Sequence, residues 1–123
     1  MKKILFLVVI CLFLCSCNDK ESKEIEPGKI NCTEMKEIMK QDSSARLIDV
    51  RTSEEYKEEH LDEAINIPVD NIKSIDTISS INLETPIIVY CRSGNRSAQA
   101  KEELDKLGYN KVYDLGAMSS CGN

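Results

Sequence analysis

Residues 87–97, with the sequence IIVYCRSGNRS, decide the fold of this chain. The first four of them, Ile87-Ile88-Val89-Tyr90, follow Pro86 and form the strongest predicted strand. An unbroken apolar run of this kind is typical of a strand in a parallel sheet that is covered by crossover helices on both faces. Ligands of such sheets bind at the carboxyl ends of the strands, and Cys91 lies at that position.

The segment from Cys91 to Ser97 is short, polar and rich in groups that bind anions. Gly94 and Asn95 tolerate left-handed backbone conformations, so the loop can turn its N–H groups inward. Inward amides, the N-terminus of the following helix and two arginines would favour a bound anion and lower the pKa of the Cys91 thiol. The alternative interpretation is that Cys91 is a buried small hydrophobic residue. The predicted substrate-binding loop is Arg92, Ser93, Gly94, Asn95 and Arg96.

Apolar runs and helix-like segments alternate on both sides of this loop, which predicts one α/β domain with parallel strands. Four helices are predicted. The first is capped by Thr33, and the second starts with the capping box Thr52–Glu55 and runs to about Glu59. The third is capped by Asp70, and the fourth covers 97–107 and ends at Gly108. The predicted strands cover residues 30–32, 46–51, 64–68, 87–90 and 111–115.

Length and charge limit the classes of function. The chain has 123 residues and a formal net charge of -5, with 16 basic and 21 acidic side chains. This length holds one small domain. Because no Lys/Arg cluster with interleaved aromatic residues is present, the sequence excludes a typical nucleic-acid binder.

The N-terminus has the features of a targeting signal rather than of folded structure. A basic start, Met1-Lys2-Lys3, precedes 11 apolar residues at 4–14, which is too short for a membrane-spanning helix. Leu14-Cys15-Ser16-Cys17 resembles the bacterial lipobox, which predicts a signal peptide over residues 1–16 and lipidation of Cys17. Cys15 is a competing acceptor with bulky Leu14 before it, and an ordinary secretory signal is the other alternative.

Residues 17–29 are then expected to be the lipidated cysteine and a flexible tether, because they are charged and nearly free of apolar side chains up to Pro27-Gly28. Residues 30–123 would form the domain. This organisation predicts an extracytoplasmic protein that is anchored to a bacterial membrane by its acyl chains, since its acidic body is repelled by anionic lipid heads.

The residues from about Ile30 to the C-terminus resemble a single-domain rhodanese, with several motifs in the order and spacing of that family. They are Leu47-Ile48-Asp49-Val50-Arg51, Glu55-Tyr56, His60-Leu61, Ala64-Ile65-Asn66-Ile67-Pro68, the loop 91–97, and Leu115-Gly116 before Met118. The resemblance implies a central, mainly parallel sheet of about five strands with helices on both faces.

The resemblance also implies a sulfurtransferase that needs neither a metal nor an organic cofactor. Cys91 would attack a small anionic sulfur donor such as thiosulfate, carry the sulfur as a persulfide, and pass it to a thiol or cyanide. Four residues separate Cys91 from Arg96, whereas cysteine phosphatases have five between the corresponding residues. The expected oligomeric state is a monomer.

The remaining site residues are assigned by the same resemblance. Asp49, Arg51 and Ser97 would support the loop, although a structural ion pair is the alternative role for Asp49 and Arg51. His60 matches a family histidine that is not the catalytic base, so a structural role is expected.

The sequence departs from the family pattern at several positions. Glu59 and Glu63 stand where glycines are usual, Ala117 replaces a second glycine, and residues 119–121 stand where a tryptophan is common. If the first and last strands are neighbours, as in the family, Cys32 and Cys121 lie at one edge of the sheet. Two hypotheses stay open: a structural disulfide between these two residues, or a resolving role of Cys121 toward Cys91.

A second class of function also stays open. The chain would then be a membrane-tethered persulfide carrier, or a thiol redox or anion-binding module, without efficient turnover. Such a protein would load sulfur on Cys91 once and release it slowly to small acceptors.

Overall fold

The computed structural model describes residues 23–122. The helices are α1 (Cys32–Gln41), α2 (Ser53–Glu58), α3 (Ile75–Ile78) and α4 (Asn95–Lys106). Two 3₁₀ helices cover Val69–Ser74 and Met118–Cys121. The strands are β1 (Gly28–Lys29), β2 (Arg46–Asp49), β3 (Ile65–Asn66), β4 (Ile87–Cys91) and β5 (Val112–Ala117).

The five strands form one sheet in the order β1-β5-β4-β2-β3, and every pair is parallel. The predicted α/β class with a central parallel sheet is therefore confirmed, and so is the neighbouring position of the first and last strands. β4 is central and all five of its residues are buried. The register between β4 and β5 shifts by one residue after Val89. Val89 pairs with Asp114, the next residue, Tyr90, pairs with Gly116, and Leu115 has no partner in β4.

Successive side chains of a strand point to opposite faces of the sheet, so its apolar residues need cover on both faces, and helices provide it. On one side Val89 and Cys91 pack with Ala100 and Leu104 of α4 and with Ile72 of the first 3₁₀ helix. On the other side the core is formed by buried residues of β4, β5 and α1, and a partly buried tyrosine of α2 packs against them. These residues are Ile88, Tyr90, Tyr113, Met35, Ile38 and Tyr56. The sheet thus separates two cores, and Cys91 belongs to the core beneath α4.

The N-terminal edge of the sheet differs from its prediction. The strand expected at 30–32 lies at Gly28–Lys29, and the backbone N–H of Ile30 donates to Asp114 O at 2.9 Å. α1 begins at Cys32 with Asn31, rather than Thr33, as its N-cap, and Asn31 forms a capping box with Glu34. The hydroxyl of Tyr113 donates to Ile25 O at 3.1 Å. The folded part therefore begins before residue 30, inside the segment that was predicted to be a tether.

Two other elements also have different bounds. The helix predicted after Asp70 is a 3₁₀ helix followed by the single turn of α3, and Pro68 rather than Asp70 is its N-cap. α4 begins at Asn95, two residues before the predicted start, and Leu107 at its end is 44% exposed. The prediction that Gly108 ends α4 in a left-handed conformation is confirmed, because its φ is 93°.

Glu63 is the one non-glycine residue in the described part of the chain with a positive φ, 67°. It is one of the two glutamates that stand where the resemblance indicates glycine. An L residue in the left-handed region costs roughly 1–2 kcal/mol relative to glycine. The turn at this position therefore has a backbone conformation that favours glycine, while the chain carries a glutamate there.

None of the described helices has the length and apolar character needed to cross a membrane. The predicted signal peptide and the predicted lipidation site, Cys17, lie outside the described residues.

A disulfide joins Cys32 at the start of α1 to Cys121 in the C-terminal 3₁₀ helix, with the two Cα atoms 4.9 Å apart. This pairing favours the first of the two cysteine hypotheses. The two cysteines are 89 positions apart in the sequence, so the bond closes a long loop. Cross-linking distant residues restricts the unfolded chain, so this bond stabilises the fold more than a short-range one would.

Cys32→Ser and Cys121→Ser are each expected to lower the free energy of unfolding by about 2–4 kcal/mol. Urea denaturation of the oxidised proteins measures the loss. The double variant should lose no more than either single variant, because one bond is removed in all three. Two unreacted thiols in the oxidised wild-type protein would contradict the disulfide.

Candidate active site around Cys91

Cys91 ends β4, and its side chain is fully buried under the turn that leads into α4. The backbone N–H of Gly94 donates to Cys91 Sγ at 2.9 Å, and that of Ser97 donates at 3.4 Å. Gly94 is the N-cap of α4 with a φ of 95°, a conformation that favours glycine. The loop thus bends so that its amides and the N-terminal end of the helix face one sulfur atom.

These donors make Cys91 more acidic than an ordinary cysteine. Burial, the largest single influence, raises the pKa of the thiol, but the hydrogen bonds together outweigh it. They come from the backbone and hydroxyl of Ser97 and from the amides of Gly94 and Ser93, and the net result is a lowered pKa for Cys91. The thiolate, which is the nucleophilic form, therefore persists to lower pH than in a free cysteine.

Ser97 is fully buried, and its hydroxyl also lies 3.1 Å from Gly94 O. A hydroxyl has one proton, so it can donate either to this carbonyl or to the thiolate. Deprotonation of Cys91 supplies a charged acceptor and favours the second arrangement. Ser97 thus has the supporting position that was predicted for it.

Ser97→Ala is expected to raise the pKa of Cys91 and to slow its alkylation by iodoacetamide about 2- to 10-fold at pH 7, the value of one hydrogen bond. The measurement is the modified fraction of the Cys91 peptide against time and pH. Ser119→Ala, at an exposed serine of the C-terminal 3₁₀ helix, is the control. Equal rates for Ser97→Ala and wild type would show that the hydroxyl does not stabilise the thiolate.

The predicted loop residues have different environments. Arg92, Ser93 and Asn95 are exposed, and Asn95 is the first helical residue of α4 rather than a left-handed one. Among the described residues, the Arg92 side chain has no ion pair or hydrogen bond. The amides of Gly94 and Ser97 lie within hydrogen-bonding distance of Cys91 Sγ, and the Ser93 amide adds to the lowering of the Cys91 pKa, so the sulfur is held by only part of the predicted loop.

The side chain of Arg96 is committed to an acidic partner in α2. Its Nη1 and Nη2 donate to Glu55 Oε1 and Oε2 at 2.6 and 3.1 Å. The Arg96 guanidinium, together with hydrogen bonds from Thr52, lowers the pKa of Glu55 to about 2. Glu55 was predicted from sequence only as a capping residue, and it does cap α2 as well. Its pairing with a residue 41 positions away has no signal in the sequence.

Asp49 and Arg51 form a buried ion pair beside the loop rather than a pair that faces substrate. Arg51 is 3% and Asp49 is 0% exposed, and Arg51 Nη2 lies 2.7 Å from Asp49 Oδ2. The Arg51 backbone N–H and its Nε donate to Asp49 as well, at 2.9 and 3.0 Å to Oδ1. The structure thus favours the structural role that was the alternative for these two residues.

Tyr90 extends this pair into a network that reaches α2 and the segment after it. Its hydroxyl donates to Asp49 Oδ2 at 2.9 Å and accepts from Leu61 N at 3.0 Å. Arg51 Nη2 also donates to Glu59 O at 2.5 Å. Tyr90 was predicted only as a strand residue, because an apolar run gives no indication of what a buried hydroxyl binds. The network ties β2, β4 and the end of α2 together on the face of the sheet opposite to the Cys91 side chain.

His60 is exposed and stacks on Tyr56, with ring centroids 3.8 Å apart. Its Nδ1 lies 2.7 Å from Tyr56 O, which supports the structural role expected for it. Among the cysteines of the described segment, Cys91 alone is a free thiol. Residues 23–122 contain no group of His, Cys, Asp or Glu side chains arranged to hold a metal ion.

The C-terminal end of β5 and the 3₁₀ helix that follows it form a wall next to the loop. A Cβ added to Gly94 would lie 3.8 Å from Gly116 Cα, so the two backbones approach closely. A cavity of about 410 Å³ opens between this wall and α4. Its polar lining includes Ser93, Asn95, Asp114 and Ser120. The segment that replaces the family's usual tryptophan thus borders the loop, with the disulfide at its end.

Comparison with known proteins agrees with this architecture. The profile of the rhodanese-like domain matches residues 31–119. The thiosulfate sulfurtransferase PspE of Escherichia coli is 39% identical over 71 residues, which are 58% of this chain and 68% of PspE. The putative sulfur carrier protein YrkF of Bacillus subtilis is 29% identical over 87 residues, which are 71% of this chain and 46% of YrkF.

A solved structure of a rhodanese with anions from E. coli superposes with a TM-score of 0.60 at 36% identity. The match covers 63% of this chain and 92% of that one. The two proteins thus share the fold over the matched part of this chain.

Proposed function

The chain belongs to the rhodanese-like domain family, and from this we propose that it is a sulfurtransferase that moves sulfane sulfur from thiosulfate or a similar anionic donor to a thiol or cyanide. The observation that carries the proposal is the pair of backbone N–H groups, from Gly94 and Ser97, that point at Cys91 Sγ. They favour a thiolate and, after it has reacted, an anionic persulfide.

The first half-reaction is a displacement at sulfur. The Cys91 thiolate attacks the outer sulfur of thiosulfate, a new S–S bond forms, and the bond to the sulfonate sulfur breaks with its electron pair leaving on sulfite. Cys91 then carries a persulfide anion in the position of the former thiolate. The guanidinium of Arg92 is exposed and has no ion pair among the described residues, so it is available to attract the anionic donor and the leaving sulfite.

The second half-reaction regenerates the enzyme. Cyanide attacks the outer persulfide sulfur, thiocyanate leaves, and the electron pair of the S–S bond returns to Cys91. A thiol acceptor reacts in the same way and becomes a persulfide itself. Because the donor's product departs before the acceptor reacts, the kinetics are expected to be ping-pong.

The test is the mass of the Cys91 peptide before and after incubation with thiosulfate, followed by a cyanide chase. The expected result is a gain of about 32 Da, one sulfur atom, that cyanide removes as thiocyanate. If the reduced, folded protein shows no gain at Cys91, the proposal is wrong.

A persulfide carrier without efficient turnover is the second candidate function. It is favoured by the similarity to the putative sulfur carrier protein YrkF. In this case thiosulfate would load Cys91, but discharge by cyanide would be slow relative to loading. The rates of the two half-reactions, measured separately, distinguish the candidates.

We also propose that the protein is anchored outside the cytoplasm through lipidated Cys17. The disulfide Cys32–Cys121 supports this proposal, because disulfides persist in oxidising compartments. Metabolic labelling with a fatty acid should label the wild-type chain and leave Cys17→Ser unlabelled. Equal labelling of both proteins would exclude Cys17 as the lipidation site.

A further inference from the structure

The ion pair between Glu55 and Arg96 connects α2 to the first turn of α4. Its side chains are partly buried, with 24% of Glu55 and 32% of Arg96 exposed. Both Arg96 nitrogens that point toward α2 have a carboxylate oxygen as partner. Paired N–H donors on a carboxylate fix the orientation of the guanidinium as well as its position.

The carboxylate of Glu55 is itself held in place by the start of α2. Glu55 Oε1 accepts from the hydroxyl of Thr52 at 3.2 Å, and the Glu55 N–H donates to Thr52 Oγ1 at 3.2 Å. Glu55 therefore cannot follow Arg96 toward the Cys91 loop without breaking the capping box. To reach an anion in the loop, Arg96 would have to abandon two charge-assisted hydrogen bonds.

This arrangement changes the charge that an anion meets. The loop sequence contains two arginines, Arg92 and Arg96, but the second is neutralised by its partner. The loop thus presents its amides and one uncommitted guanidinium, that of Arg92. Inorganic phosphate and sulfate, which have no sulfane sulfur to donate, would be bound more strongly by two guanidinium groups than by one.

We propose that Glu55 controls the anion affinity of the Cys91 loop, because its carboxylate occupies the guanidinium of Arg96 and thereby keeps oxyanions such as phosphate and sulfate weakly bound. The inference rests on the proposed function for its biological meaning.

The test measures how inorganic phosphate protects Cys91 from iodoacetamide in the wild-type protein and in Glu55→Gln, at constant pH and ionic strength. Glutamine at this position retains the capping box, since its side-chain oxygen still accepts from the start of the helix. Each protein is compared with its own unprotected rate. We expect the phosphate concentration for half protection to fall about 3- to 10-fold in Glu55→Gln, because Arg96 becomes available to the anion.

Two further variants define the outcome. Glu54→Gln removes the same charge from the neighbouring, exposed residue of α2, and phosphate should protect Cys91 in this variant as it does in the wild type. Arg96→Met in the Glu55→Gln background should abolish the gain in phosphate affinity. If Glu55→Gln leaves phosphate protection unchanged while it lowers thermal stability, the ion pair is purely structural and the inference is overturned. An equal gain in Glu54→Gln would overturn it as well.

The experiment is independent of sulfur transfer. Phosphate protection requires an anion to bind near Cys91 but no turnover. Failure of thiosulfate to load the wild-type Cys91 would therefore refute the proposed function, whereas the comparison of the variants would still decide the role of Glu55.

Discussion

Replacing Cys91 by serine is expected to abolish both sulfur loading and turnover. The attacking atom must be an anion, and the amides of Gly94 and Ser97 lower the pKa of the Cys91 thiol, whereas a serine hydroxyl in the same position stays protonated. Serine also cannot form the S–S bond that carries the sulfur. Thiocyanate formation should fall by at least about three orders of magnitude, as is usual when a covalent nucleophile is removed.

The measurement combines thiocyanate formation with the mass of the residue-91 peptide after exposure to thiosulfate. Thermal unfolding of Cys91→Ser provides the control, because serine is close to cysteine in size and the fold should remain. A folded Cys91→Ser protein that still gains one sulfur atom would show that another thiol is the acceptor. In that case the proposed mechanism is wrong.

Replacing Asp49 by asparagine is expected to produce the largest loss of stability among the substitutions considered. Asparagine retains the shape of the side chain but removes its charge, so Arg51 is left as a buried cation with no partner of opposite charge. Breaking a buried ion pair in this way costs about 3–5 kcal/mol, a large part of the stability of a small domain. Urea denaturation at neutral pH measures the loss of unfolding free energy.

A second substitution separates the charge from the packing. Arg51→Met in the Asp49→Asn background removes the unpaired cation and should recover part of the lost stability, since apolar replacements of buried pairs are well tolerated. Lys106→Ala, which removes the exposed pair with Glu102, should leave the unfolding free energy almost unchanged, because water screens such pairs. A loss of less than about 1 kcal/mol in Asp49→Asn would show that the pair is not important for stability.

Local sequence rules predicted the elements with strong local signals. The capping box Thr52–Glu55 and the apolar run at 87–90 lie where the sequence indicated, because their signals come from residues within a few positions of each other. The prediction placed β1 two residues too late in the sequence. Gly28 and Lys29 have almost no strand propensity of their own, and they form a strand because they pair with Tyr113 and Asp114.

The candidate site was predictable to a similar degree. The nucleophile and the turn at Gly94 follow from a strand, a loop and a helix that are adjacent in sequence. The partners of the flanking residues do not, since Arg96 pairs with Glu55 and Tyr90 with Asp49, each 41 residues away. Such contacts depend on the order of the strands, which apolar patterns leave undetermined.

The position of β5 in the sheet has a consequence for the newly made chain. β5 lies between β1 and β4, so the last strand to leave the ribosome is the one that joins the two parts of the sheet. Until residues 112–117 emerge, both flanking strands expose unpaired N–H and C=O groups, and such edges promote aggregation. Synthesis that stalls before β5 should therefore yield insoluble fragments rather than a smaller folded domain.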